Sequence, residues 1–313
     1  MKVCLIFSFQ FIVGEAMEKE YNQLLGYTID KLLQTFNYNR KPIMSRFHFF
    51  KLMNLLDQRL RKQNIDIKLP GYWYKYGFYS EERFFDSVLV NSFTENYVID
   101  DNIYPPTIKT DYNGKVSIKE AEIISETIRY LYDQYGGKRE YGDLIKEESY
   151  RLYSPYRFNT IFQEYIYITD VNSTHVSEKL KDNINSELDK LLLEFPIKSF
   201  PELASIHFEW DDTTRLVLDC APDEIKLSLT KHLRDEFWEI YSKRIRIEHN
   251  QNIPDYAKRK WKLSYESELA EANKTIENIR CKVLSNYYNP SEENKEFVKK
   301  LMEDIYNIPS EGA

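Results

Sequence analysis

The sequence predicts a mainly α protein, strictly α+β because a few short strands join the helices. A helical N-terminal domain is expected to precede a helical domain that ends in a long hairpin. Apolar residues recur at three- and four-residue spacing in several stretches. The most regular stretch is Trp261, Tyr265, Leu269, Ala272, Ile276, Ile279 and Val283, at intervals of four, four, three, four, three and four. Strand-like alternation is confined to short runs, one of them dense in aromatic residues between 72 and 79.

Val3 to Val13 is apolar but too short to span a bilayer, so residues 1–16 are expected to be an upstream extension or an N-terminal strand. The first domain, 17–112, is expected to be helical and winged-helix-like, with one aromatic strand. Its first helix runs from Met17 to Phe36, with Tyr21, Leu24, Leu25, Thr28, Leu32 and Phe36 along one side. Ser45 is suited to cap a second helix through about Gln63. Phe49, Leu52, Met53, Leu56 and Leu60 form its apolar face. Arg46, Lys51, Arg59, Arg61 and Lys62, with Asp57, fall opposite. Ile65, Ile67 and Leu69 alternate before the turn at Pro70-Gly71. The aromatic block Tyr72 to Ser80 then reads as a short strand or tight loop packed on that helix. Ser80, Glu81 and Glu82 are suited to start a further helix, and Pro105-Pro106 and Asn113-Gly114 mark a loop over 100–114.

The second domain, 113–313, opens on a capping box, Ser117 with Glu120, and a helix to Tyr135 closed by Gly136-Gly137. A short helix is expected within 138–159, while 160–168 fits helix and strand equally. Ser177 to Phe195 is helical, with Leu180, Ile184, Leu188, Leu191 and Leu192 as its stripe. Ile206 to Trp210 alternates like a strand, Asp223 to His249 is helical, and Pro254 marks a joint. The last helix, about 25 residues and roughly 40 Å long, ends at Asn289-Pro290. Beyond it Ser291 restarts a helix carrying Phe297, Leu301 and Ile305. A seam of that length needs a cover, either the rest of the chain or a second subunit, and a homodimer through Trp261–Val283 is the expectation.

The net charge of −7 is unevenly spread. From Glu15 to Glu95 the chain has 12 Lys/Arg against 10 Asp/Glu, and from 96 to 313 it has 30 against 40. The acidic balance disfavours non-specific nucleic-acid binding and leaves room for a local basic patch in the first third. The 25 tyrosines and 18 phenylalanines suit half-buried positions and interfaces. Three scattered cysteines, Cys4, Cys220 and Cys281, argue against a disulfide scaffold and point to the cytoplasm, with no membrane association.

Chemical signatures are sparse. Gly136-Gly137-Lys138 lacks the remaining positions of a phosphate-binding loop. The five histidines, 48, 175, 207, 232 and 249, never pair at ligand spacing. No catalytic residue, metal ligand or cofactor is assigned. The nearest approach to acid–base chemistry is His207-Phe208-Glu209-Trp210-Asp211-Asp212. On a strand, His207, Glu209 and Asp211 would share a face able to hold a divalent cation.

Two short motifs are more distinctive. Lys51, Leu52 and Asp57 lie on one helix, and Tyr74, Lys75, Tyr76, Gly77 and Ser80 on the aromatic strand that follows. Together, over about 80 of the 313 residues, they resemble the Panacea (SocA-like) antitoxin domain. That family carries a helix beginning lysine-leucine-hydrophobic-tyrosine and a strand of the type Tyr-Lys-Tyr-Gly-Pro-hydrophobic-Ser. Asn54 stands where the family has an aromatic residue, and Phe78 where it has proline. The resemblance implies a compact helical domain that recognises protein partners, often by neutralising a toxin.

The expected function is therefore a non-enzymatic protein-binding regulatory module, antitoxin-like or part of anti-phage defence. Tyr74, Tyr76, Gly77 and Tyr79 would form its recognition surface, exposed around the glycine turn. One alternative is a DNA-binding transcriptional regulator contacting phosphates through Arg59, Arg61 and Lys62. Another is a divalent-metal-dependent nuclease or other hydrolase using Glu209, Asp211 and Asp212.

Overall fold

The computed structural model describes residues 23–36, 46–75, 77–80, 97–99, 102–104, 116–136, 141–170 and 175–288, together with 296 and 300. The expectations for residues 1–16, for a helix starting at Ser80, and for Phe297, Leu301 and Ile305 fall outside these. Among the described residues the fold is predominantly helical with minor β structure, as the sequence predicts. The chain divides into two compact units, 1–160 with 239–267 and 161–238 with 268–313.

In the first unit, residues 23–36 are helical (α1) and Arg46–Arg61 form α2. Asn64 ends α2 in the left-handed region, at φ 61°. The Ile65 N–H then donates to Leu60 O at 2.9 Å and the Asn64 N–H to Arg61 O at 3.0 Å. This paired closure of a helix end favours Asn or Gly at that position. Ile65, Ile67 and Leu69 follow outside any helix or strand, all three buried.

Gly71–Tyr74 (β1) and Gly77–Tyr79 (β2) form an antiparallel hairpin, with Trp73 opposite Phe78. Gly77 sits at φ +88°, which L side chains rarely adopt. A Cβ on Gly71 would strike the Phe78 ring, so the close approach of that ring requires glycine. A second hairpin pairs Tyr97–Ile99 (β3) with Asn102–Tyr104 (β4). Residues 102–104 therefore belong to a strand, where a loop was expected.

Ile118–Tyr135 (α3) starts at the predicted capping box. Glu120 N donates to Ser117 Oγ at 3.2 Å, and Ser117 N donates back to Glu120 Oε2 at 3.2 Å. Tyr141–Tyr153 (α4) follows, and then Arg157–Asp170 (α5), which resolves 160–168 as helix. Both α3 and α4 pack on α2, and Phe36 meets Tyr132 edge-on at 5.2 Å. These contacts place α3 and α4 with the N-terminal elements, so the expected boundary at 112/113 does not divide the chain. The sheet is completed by Asn250–Gln251 (β5), giving the order β2-β1-β5.

In the second unit, Glu178–Glu194 (α6) is capped by Ser177, which accepts from Leu180 N, and buries Ile184, Glu187, Leu188 and Leu191. A 3-10 turn, Pro201–Leu203, leads into Ala204–Cys220 (α7). The strand expected at Ile206–Trp210 is thus helix. Its core is aromatic: Phe162 stacks on Trp238 at 4.3 Å, Trp210 on Phe237 at 4.7 Å, and His207 on Phe195 at 4.2 Å. Asp223–Glu248 (α8) and Asp255–Asn286 (α9) have residues in both units. Pro254 stands immediately before α9, which is longer than the sequence spacing implied. No helix among the described residues is long and apolar enough to cross a membrane.

The seam on α9 is covered within the single chain. Trp261, Tyr265, Ala272, Ile276 and Val283 are buried, and Leu269 and Ile279 are half-buried. In the first unit Trp261 packs with Tyr72, Ile253 and Ala257. Residues already out of water gain little from a second subunit, so the burial of this seam does not by itself require a dimer through Trp261–Val283.

Candidate protein-binding site

Lys51 and Asp57 were expected on the solvated side of α2, yet both are buried, at 4% and 0% exposure. Lys51 reaches the hairpin, where its Nζ donates to Phe78 O at 3.3 Å. Burial, reinforced by the nearby Lys146 charge, holds its ammonium down to about 7. Asp57 Oδ2 accepts from Arg61 Nε at 2.9 Å and from Gln251 Nε2 of β5 at 2.8 Å. Burial raises its pKa above the usual carboxylate value, and those two hydrogen bonds oppose the shift. Ser80 Oγ donates to Pro70 O, bridging the ends of the hairpin. Tyr150 of α4 donates to Lys75 O at 2.8 Å. Lys51, Asp57 and Ser80, three of the residues that carry the resemblance, are therefore polar pins that tie α2 and the sheet together.

The aromatic block is used inward. Tyr72 and Trp73 are buried, with Tyr72 edge-on to Trp261 at 4.8 Å and Trp73 edge-on to Tyr150 at 5.7 Å. Tyr74 and Tyr79 are half-buried and Gly77 is buried. The Tyr74 hydroxyl donates to Glu239 Oε1 at 2.8 Å, and the Arg246 guanidinium lies 5.4 Å from the Tyr74 ring centre. Burial pushes the Glu239 carboxyl up, but hydrogen bonds from Lys75, Lys243 and Tyr74 outweigh it and hold the group down to about 2. Tyr74, Gly77 and Tyr79 accordingly form a packed joint, in which the two tyrosines keep part of their surface exposed. Tyr76 lies outside the described residues.

A concave surface of this unit lies along α2 and α3. A groove of about 360 Å³ is lined by Arg59, Lys62 and Gln63 on one side and by Glu126, Thr127 and Tyr130 on the other. Arg59 stacks over the Tyr130 ring at 4.4 Å and pairs with Glu148 at 3.0 Å. Its Nε–H is buried and meets no acceptor among the described residues. Lys62 is exposed, its ammonium 5.3 Å from the Tyr153 ring centre, and no carboxylate among the described residues pairs with it. Gln63 Nε2 donates to Thr127 Oγ1 at 3.1 Å, joining the two walls. Arg61 points elsewhere, to Asp57 and to Asp66 at 3.0 Å. Of the three cations expected to contact phosphate, two are thus committed to carboxylates.

The acidic cluster of α7 does not assemble. On a helix, Glu209 is turned away from the face that His207 and Asp211 share. His207 is fully buried among Phe195, Trp210 and Phe237, and burial holds its imidazole down to about 3, so it stays neutral. Asp211 is chelated by Arg215 at 2.9 and 3.2 Å, Glu209 pairs with Arg280 at 2.8 Å, and Asp212 is exposed. Among the described residues no group of three His, Cys, Asp or Glu side chains is placed to hold a metal ion.

The sequence pointed to Arg59 and Lys62 but missed Gln63, Glu126, Thr127 and Tyr130. Tyr130 left a trace: it is a large aromatic residue off the Ile124–Ile128–Leu131–Tyr135 stripe, and it is exposed. Comparison with known protein families, curated proteins and solved structures finds no match.

Proposed function

We propose that the chain is a non-enzymatic, protein-binding regulatory module of the cytoplasm, antitoxin-like in kind, and that its partner docks in the α2–α3 groove. The groove carries this reading: a stacked arginine, an exposed lysine and an exposed tyrosine line a concave surface of about 360 Å³. Arg and Tyr are the residue types that dominate protein–protein contacts, and a cleft this size accepts one or two anchoring side chains. The pins behind it give the rigid support that a recognition surface needs. The motif resemblance on Lys51, Asp57, Tyr74, Gly77 and Ser80 supports a partner that is itself a protein. The free thiols of Cys220 and Cys281 support a reducing compartment.

Affinity capture with quantitative mass spectrometry tests the proposal on the full chain, alongside Lys62→Glu and Tyr130→Ala. Both side chains are exposed, so thermal melts should barely move. The expected result is one protein enriched by the wild type and lost from both variants. A partner lost with Tyr79→Ala but retained by the groove variants would refute the assignment, as would identical captures from all of them.

A further inference from the structure

Resting on that reading, we infer that the groove's occupant is an acidic segment of the partner, held by a carboxylate side chain. Hydrogen-bond donors dominate the α2 wall. The Arg59 Nε–H is buried beside the groove without an acceptor among the described residues. Orphan donors of this kind are rare in folded proteins, and each marks a place where an acceptor is wanted. Lys62 adds an exposed ammonium with no carboxylate paired to it among the described residues. A carboxylate in the groove pairs with the Lys62 ammonium through charge-assisted hydrogen bonds, about twice as strong as neutral ones, beside the wall where the Arg59 Nε–H lacks an acceptor.

The rest of the groove limits what can bind. Glu126 is exposed on the α3 wall and disfavours a second acid there, so the occupant presents its carboxylate to the Arg59–Lys62 side. The stacked pair of Tyr130 and Arg59 offers a flat apolar floor for the stem of a Glu or Asp side chain. The wider field agrees. The unit that holds the groove has 29 Lys/Arg against 25 Asp/Glu, a net of +4, whereas the other unit has 14 against 25, a net of −11. An acidic partner segment is therefore attracted to the first unit and repelled by the second.

Fluorescence anisotropy on the full chain tests the inference with two short labelled probes, a Glu/Ala peptide and its Lys/Ala counterpart, and with inorganic phosphate as competitor. The expected result is binding of the Glu/Ala peptide, weakened about tenfold or more by Lys62→Glu, a loss of about 1.4 kcal/mol. Glu126→Gln should tighten the same binding, because it removes an opposing charge from the groove lining. Binding of the Glu/Ala peptide that ignores both substitutions would overturn the inference. So would phosphate binding that depends on Lys62 while the peptide fails to bind, which would identify a free anion as the occupant. If the Lys/Ala peptide binds instead, and is lost with Glu126→Gln, the acidic occupant falls while the docking site survives. If neither peptide binds, the docking site falls too.

Discussion

Replacing Lys51 by Met should leave the protein as stable as before at neutral pH, or more so. Lys51 is 4% exposed and its ammonium is held down to about 7, first by burial and then by the Lys146 charge. In the unfolded chain the same group titrates at the ordinary 10.5. Between those values the unfolded chain binds the extra proton, so stability rises with pH from about 7 to about 10.5. Keeping the lysine in the fold at pH 7 thus costs on the order of 4 kcal/mol. Methionine fills nearly the same volume without the charge, and loses the polar contacts of the ammonium, among them the hydrogen bond to Phe78 O at about 1 kcal/mol. The net expectation is a gain of roughly 1–3 kcal/mol at pH 7 that shrinks to nothing by about pH 10. Urea melts of both proteins at several pH values measure it, and the difference between them isolates Lys51 from every other titrating group. Parallel pH profiles would refute the reasoning, as would a Met variant much less stable at pH 7, because either result means that Lys51 is not buried as a costly cation.

Other perturbations probe the remaining joints. Asp57→Ala removes the shared acceptor of Arg61 and Gln251 and should cost about 3 kcal/mol in denaturant melts, whereas Asp57→Asn, which keeps one oxygen, should cost about half that; equal costs would show that the two hydrogen bonds are not what matters. Ile276→Asp should cost more than about 4 kcal/mol because the side chain is fully buried, and half-buried Leu269→Asp distinctly less, an order that circular dichroism melts can reverse if the seam is misplaced. Glu239 has a folded pKa depressed to about 2 from 4.5, so its contribution is present above about pH 4.5 and fades as pH falls toward 2; Glu239→Gln should flatten that part of the acid-unfolding profile, and an unchanged profile would count against the Lys75–Glu239–Lys243 cluster.

The helices whose limits were legible are those with local signals. Ser117 with Glu120, Ser177 and Pro254 each act within one turn of the chain, and each stands where a helix begins. Ile206–Trp210 was misread because five alternating residues fit either period. The longer pattern is helical, with Ile206, His207, Trp210, Asp211, Thr214, Val217 and Leu218 all buried in α7. Polar residues at the core positions hide that stripe. Their burial is made tolerable by contacts the sequence does not announce, Asp211 with Arg215 and Thr214 Oγ1 with Trp210 O at 2.8 Å. The length and regularity of the α9 seam were visible, but its cover was not, since a repeating apolar face looks the same whether its partner is Tyr72 of the same chain or another molecule.

The same reasoning separates the pins from the site. Composition marks Lys51, Asp57, Arg59, Arg61 and Lys62 alike as charges on one polar side of α2, but the fold sorts them by what surrounds each. Lys51 and Asp57 turn inward to the hairpin and β5, Arg61 is held by two carboxylates, and only Arg59 and Lys62 face the groove. The opposite wall comes from residues 126–130, more than sixty positions away, brought alongside by the packing of α3 on α2. No spacing rule links 59–63 to 126–130, so a groove built from two helices has no sequence signature. The conspicuous aromatic block had one, and the fold spends it on joining the hairpin to Trp261 and Tyr150. Tyr72, buried against Trp261, and Tyr74, its hydroxyl bonded to Glu239, have less left to offer a partner protein than an arginine with an orphan N–H and a lysine with no carboxylate beside it among the described residues.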